Sequence, residues 1–132
     1  MRAPVSSLAK NMFLAVEKYG GTSVGSVERI NAVADRVSES HQKGEQLVVV
    51  VSAMAGETNR LLGLAEEIDP DAQAREMDVL VSTGEQVTIA LLSMALNKRG
   101  IEARSYTGGQ VQILTDNVHG KARILDIDAA RV

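Results

Sequence analysis

Between Phe13 and Val51 the chain changes its hydrophobic period twice, and this constrains the fold more than any other feature. Phe13 to Tyr19 is a short apolar-rich run closed by Gly20-Gly21, which reads as a first strand. Val27, Ile30, Val33, Ala34 and Val37 then recur at helical spacing. Ser26 is placed to cap that helix, Glu28 lies in its first turn, and Gly44 supplies a stop. Leu47 to Val51 follows as a continuous, mostly β-branched run of the kind found in strands covered on both faces. Strand, helix and buried strand together make a βαβ unit, which joins parallel strands by a right-handed crossover.

After Ser52-Ala53-Met54-Ala55-Gly56 a second helix is predicted from Thr58 to about Ile68, closed by Asp69-Pro70. The stretch from Ala74 to Arg99 reads as helical with one interruption at Ser82-Thr83-Gly84. Met77, Leu80 and Val81 are expected to face the core before the break, and Val87, Leu91 and Ala95 after it, with Gly100 as the end. Arg104 to Thr107 is predicted as a strand, Gly108-Gly109 as a turn, and Val111 to Leu114 as a further short strand. The alternation predicts an α/β fold, a three-layer sandwich with a mainly parallel sheet between helices. Residues 12–132 form the expected domain; Met1 to Asn11 reads as a loose or disordered leader, with Met12 an alternative start.

Composition removes several function classes. The 132-residue chain carries a net charge of -3 and only three aromatic residues, Phe13, Tyr19 and Tyr106. It lacks the basic, aromatic-interleaved faces that bind nucleic acid. Without cysteine there is no disulfide, thiolate metal site or thiol nucleophile. His41 and His119 are too scattered for a histidine metal site, so no metal ligand set is assigned. No apolar run approaches the ~20 residues of a membrane span. The stretch after Arg2 and Lys10 runs straight into a strand pattern, unlike a secretory signal, and the expected compartment is the cytoplasm.

Three segments could carry chemistry. Lys18-Tyr19-Gly20-Gly21-Thr22-Ser23-Val24-Gly25 stands at a strand-to-helix turn, where glycines let backbone N–H groups converge on an anion beside a helix N-terminus. Lys18 adds a mobile positive charge suited to a transferring phosphoryl group, and Thr22 and Ser23 add hydroxyl donors. The order fits neither a P-loop, where lysine follows the glycines, nor a dinucleotide fingerprint. The plainer reading is a glycine-rich turn with an exposed lysine. Ser52 and Thr58 lie where the second strand ends and the next helix begins, the usual ligand edge of an α/β sheet; they also read as a turn residue and a helix start. Ser82-Thr83-Gly84-Glu85 reads either as a capping box or as a site where Gly84 leaves space for a ligand and Glu85 offers a carboxylate to its ammonium group.

Taken together, these segments resemble the aspartate kinases of the amino acid kinase family. The opening Lys-aromatic-Gly-Gly-Thr-Ser motif stands at Lys18 to Ser23, and the Val-Val-Val-x-Ser-Ala strand and turn with its later Thr-Asn matches Val49 to Ala53 and Thr58-Asn59. Ser-Thr-Gly-Glu-Gln matches Ser82 to Gln86, Ser-Tyr-Thr-Gly matches Ser105 to Gly108, and Lys121 to Ile124 is similar to the stretch before the family's central strand. The resemblance covers nearly all of Val16 to Ile127, with Tyr19 standing where phenylalanine is commoner.

It implies phosphorylation of the aspartate side chain by ATP with Mg2+, opening lysine, threonine and methionine synthesis. It further implies that Lys18 is catalytic, that Lys18, Tyr19, Gly20 and Gly21 bind nucleotide phosphate, and that Ser52, Thr58 and Glu85 hold the substrate. A homo-oligomer is implied for the intact enzyme. The family's Gly-Phe-x-Gly and Gly-Arg-Gly-Gly-Ser-Asp segments and its regulatory ACT domains are absent from this sequence. The expectation is therefore an N-terminal portion with little or no kinase activity by itself, or, alternatively, a non-catalytic binding or assembly module.

Overall fold

The first two strands pair in parallel, as the βαβ pattern requires. β1 (Leu14–Tyr19) and β2 (Gln46–Val51) run in register from Leu14 opposite Gln46 to Tyr19 opposite Val51. The computed structural model describes residues 13–128 and 130; the expected leader and the start at Met12 lie outside them. Between the strands, α1 (Val27–Gln42) begins where the Ser26 side chain accepts from the backbone N–H of Arg29. It ends before Gly44, whose φ of +94° suits a residue without a side chain. Ile30, Val33, Ala34 and Val37 are buried, whereas Val27 points outward at 58% exposure.

Strand alternation sorts β1 and β2 into two unlike faces. Tyr19, Val51, Leu47 and Val49 join Val24, the buried residues of α1, and Leu92 and Leu96 in one core. Leu14, Val16 and Val50 lie on the other face and are exposed among the described residues. The prediction that β2 is covered on both faces is therefore met on one side only, because α1 and α3 pack on the same side of the pair.

α2 (Glu57–Ile68) agrees with the predicted helix, and α3 (Ala74–Lys98) departs from its prediction. α3 is one unbroken helix of 25 residues. The Ser82 and Thr83 hydroxyls donate to the carbonyls of Val79 and Leu80, three residues back, so neither starts a new helix. No capping box forms at Ser82. Without the break the helical phase also differs: the buried line is Gly84, Thr88, Leu92 and Leu96, with Leu91 and Ala95 beside it and Val87 exposed. Thr88 satisfies its buried hydroxyl by donating to the Gly84 carbonyl. α3 is also long and apolar enough, by length and composition alone, to cross a membrane, which no single apolar run in the sequence suggested. At its C-terminal end Arg99 clamps α3 to α1, donating to Asp35 Oδ1 at 2.7 Å and to the carbonyl and side-chain oxygens of Asn31.

Arg104 to Thr107 is not a strand. It has no partner ladder, and the preceding Ala103 is held instead by Asn97, whose side chain both donates to its carbonyl and accepts from its N–H. The turn at Gly108 is present. The last predicted strand is β3 (Ile113–Thr115), which pairs antiparallel with β4 (Ile124–Ile127) in a separate two-stranded sheet. Asp78 of α3 receives this hairpin's connection, accepting from the Gly120 N–H and contacting His119 Nδ1 at 3.0 Å.

The core also perturbs one acid. Burial pushes the Tyr19 hydroxyl up to about 12, helped by its 2.6 Å hydrogen bond to the Glu17 carboxylate and by that group's charge, with Arg36 opposing. A pKa raised on folding stabilises the neutral form. This contribution is whole below the unfolded value near 10 and is lost as pH rises toward about 12. Urea midpoints measured across this alkaline range are expected to fall more steeply for the parent than for Tyr19→Phe; equal slopes would rule the effect out.

Candidate active site

The three candidate segments meet around one small residue, Ala53, which is 5% exposed in the turn after β2. A side-chain carbon built on Gly21 would stand 2.9 Å from the Ala53 carbonyl oxygen. One built on Gly84 would stand 3.0 Å from the Ala53 methyl, 3.3 Å from Glu57 Cγ and 3.5 Å from a Leu61 methyl. The glycine turn after β1, the turn after β2 and the middle of α3 thus touch, at a distance that excludes a side chain at Gly21 and leaves little room for one at Gly84. Gly25 adds to this, since a carbon there would lie 3.1 Å from the Ala55 methyl. The space beside Gly84, one reading of which was room for a ligand, is filled by Ala53, Glu57 and Leu61.

The backbone carries this junction forward from the sheet. Ser52 N–H donates to the Tyr19 carbonyl, extending the β1–β2 ladder one step past Val51. Gly21–Val24 forms a single 3-10 turn, closed by Ser23 N–H on the Gly20 carbonyl. Arg29 steadies it from α1 by donating from Nη1 to the Thr22 carbonyl at 2.9 Å. α2 begins at Gly56, whose φ of +82° lets the chain reverse directly out of the β2 turn. The N-termini of α1 and α2 therefore follow the carboxyl ends of β1 and β2, where helix dipoles favour an anion.

Each predicted side chain can now be placed. Lys18 is exposed on the open face of β1, opposite Val50, and makes no hydrogen bond or ion pair among the described residues. Tyr19 points the other way, into the core, so any ligand contact it makes is through its backbone. Gly20 and Gly21 form the turn itself. Ser52 is half-buried and Thr58 exposed in the first turn of α2. Neither side chain caps α2, because its N-cap is Gly56 with no side-chain bond. Glu85 is exposed one residue beyond the Gly84 contact, and its carboxylate makes no bond among the described residues.

Glu57 carries the other carboxylate at the junction. Arg60 grips it through two hydrogen bonds of 2.9 and 2.7 Å and holds its pKa below the ordinary range. Its charge is thereby already matched, whereas those of Lys18 and Glu85 are free to meet a ligand. Among the described residues, no cluster of three or more His, Asp or Glu could hold a metal ion. Residue-by-residue reading missed Ala53, Ala55 and Arg29, although the run of small residues from Ser52 to Gly56 was a visible sign of close packing.

The amino acid kinase family pattern matches residues 14–132, which include every element of this junction. The chain belongs to the amino acid kinase family. Within the family, an aspartate kinase of Pseudomonas fluorescens (strain SBW25) is 65% identical over 123 residues, covering 92% of this chain and 30% of that protein. Aspartokinase 2 of Bacillus subtilis (strain 168) is 56% identical over 119 residues, covering 90% of this chain and 29% of the relative. The crystal structure of aspartate kinase from Synechocystis superposes with a TM-score of 0.72 at 58% identity, covering 74% of this chain and 17% of that one. E. coli aspartokinase III, solved in complex with lysine and aspartate, superposes with a TM-score of 0.70 at 25% identity, covering 90% of this chain and 36% of that one. The chain thus spans under a third of the length of these curated amino acid kinase relatives.

Proposed function

We propose that this chain carries the phosphate-binding turn and the amino-acid contacts of an aspartate kinase, which transfers the γ-phosphoryl group of ATP to the side-chain carboxylate of L-aspartate. The observation that carries this reading is the meeting of the three motifs at Ala53; Lys18 and Glu85, which belong to two of these motifs, make no hydrogen bond or ion pair among the described residues. Names shared by relatives up to 65% identical support the choice of substrate.

In this reading an aspartate carboxylate oxygen attacks the γ-phosphorus, the bond to the β,γ-bridging oxygen breaks, and ADP leaves with that electron pair. Such a transfer depends on placing the reactants in line and on neutralising the equatorial oxygens. Lys18 supplies positive charge to those oxygens, and the backbone of Tyr19, Gly20 and Gly21 cradles phosphate at the head of the 3-10 turn. Ser52 and Thr58, whose hydroxyls are not spent on capping, donate to the substrate. Glu85 pairs with its ammonium group, which fixes which end of the amino acid faces the phosphate. A Mg2+ ion would arrive with the ATP phosphates and supply further neutralisation of their charge, since no cluster of three or more His, Asp or Glu among the described residues offers it a ligand set. The product is 4-phospho-L-aspartate, and a cytoplasmic role at the head of lysine, threonine and methionine synthesis follows from the reading.

The test is a coupled assay of the complete reading frame's product, following ADP release with aspartate, together with hydroxylamine trapping of the acyl phosphate. Aspartate-dependent turnover and a trapped hydroxamate are expected. Equal turnover with glutamate or acetylglutamate, or none with any amino acid, would overturn the assignment. In calorimetric titration the present chain is expected to bind aspartate weakly and to show little or no turnover by itself.

A further inference from the structure

The residues on either side of Lys18 form a brace that neither the sheet ladder nor the proposed ligand contacts account for. Strand alternation turns Glu17 and Tyr19 to the α1 side of β1 and Lys18 to the open side. The Tyr19 hydroxyl donates to Glu17 Oε2 at 2.6 Å, and the Ser40 hydroxyl of α1 donates to Glu17 Oε1 at 3.3 Å. One half-buried carboxylate therefore spans Lys18 along the strand and ties the end of β1 to the last turn of α1.

Local stability does not explain a carboxylate at this place. The last turn of a helix disfavours negative charge through its dipole, and Ser40 lies in that turn of α1. Nor is Glu17 a counter-ion to Lys18, which faces the other way and makes no ion pair among the described residues. What the brace fixes is the orientation of the strand end. Tyr19 gives its carbonyl to the Ser52 N–H, and Gly20 gives its own to the Ser23 N–H that closes the 3-10 turn. With the Tyr19 side chain anchored through Glu17, the stem of Lys18, the glycine turn and Ser52 keep one mutual arrangement. Burial and Glu17 push the Tyr19 hydroxyl up to about 12, so it stays a donor throughout the neutral range.

We propose that Glu17 is a positioning residue for Lys18: by bridging the hydroxyls of Tyr19 and Ser40 it fixes the strand end from which Lys18 meets the transferring phosphoryl group. The task given to Lys18 rests on the kinase reading, whereas the brace itself does not.

The test uses the product of the complete reading frame, with kcat, the aspartate KM, urea midpoints and amide exchange measured on the same variants. Glu17→Ala is expected to lower kcat about fivefold at unchanged aspartate KM, because a small misplacement of a reacting group costs rate and not ground-state binding. Glu17→Gln can still accept from Tyr19 through its oxygen and donate to Ser40 through its NH2, so its kcat is expected within about twofold of the parent. Adding Tyr19→Phe to Glu17→Ala removes the orphaned hydroxyl and is expected to recover the urea midpoint but not kcat. In a Lys18→Ala background, Glu17→Ala is expected to cost nothing further, since its effect passes through the missing lysine. Exchange of the Ser23 and Ser52 amides is expected to quicken in Glu17→Ala and to stay parental in Glu17→Gln. Parental kcat in Glu17→Ala, recovery of kcat together with stability, or a full further loss without Lys18 would each overturn the proposal. A parent with no aspartate-dependent turnover would instead overturn the kinase reading, and amide exchange would then decide the brace: unchanged rates in Glu17→Ala would remove it too.

Discussion

In the product of the complete reading frame, Lys18→Ala is expected to lower phosphoryl transfer by about a hundredfold or more, the scale seen when a preorganised group facing transition-state charge is removed. Stability should hardly change, within about 0.5 kcal/mol, because Lys18 is exposed and its removal leaves no buried partner among the described residues. The two readouts together separate chemistry from folding. Lys18→Arg keeps the charge but spreads it over a wider, planar group on a different stem, so it should recover only part of the rate. The aspartate KM should move little in either variant, since the proposed substrate contacts are Ser52, Thr58 and Glu85. Full turnover in Lys18→Ala would remove the lysine from the mechanism, and an equal loss of stability would make its role structural.

The second large effect concerns the junction at Ala53. Gly21→Ala places a methyl 2.9 Å from a backbone oxygen, which has no rotamer to yield. Overpacking of this kind costs about 1–3 kcal/mol, and here the shift also displaces the turn that would carry the phosphate. Gly84→Ala meets the Ala53 methyl at 3.0 Å, but an alanine inside a helix also gains about 1 kcal/mol over glycine. The two terms nearly cancel. Ala53→Gly removes the methyl that Gly84→Ala strikes and leaves the carbonyl that Gly21→Ala strikes. In urea unfolding, Ala53→Gly is therefore expected to make Gly84→Ala stabilising and to leave Gly21→Ala as costly as before. Rescue of both by Ala53→Gly, or of neither, would contradict the contact geometry.

The legible parts of this molecule are those whose cause is local. The Ser26 cap, the buried positions Ile30 to Val37, the stop at Gly44 and the two parallel strands all follow from neighbours close in sequence. α3 was misread because Ser82-Thr83-Gly84-Glu85 has the composition of a helix start. A serine or threonine inside a helix can instead return its hydroxyl to a carbonyl a turn earlier, and local sequence does not separate the two outcomes. The residues from Arg104 to Thr107 have strand propensity, but a strand exists only where another backbone supplies its ladder.

At the site the division has a similar cause. Motif order pointed to Lys18, Ser52, Thr58 and Glu85 without showing what joins them. Only the folded chain shows that Ala53 is the common contact, that Tyr19 turns its side chain away, and that Gly84 makes room for packing. Backbone preference and hydrophobic period act over a few residues, and these determined the βαβ frame and the family motifs from sequence alone. Which small residues must touch depends on where strands and helices distant in the chain come to rest. That is a matter of excluded volume in three dimensions, and the tertiary structure decided it.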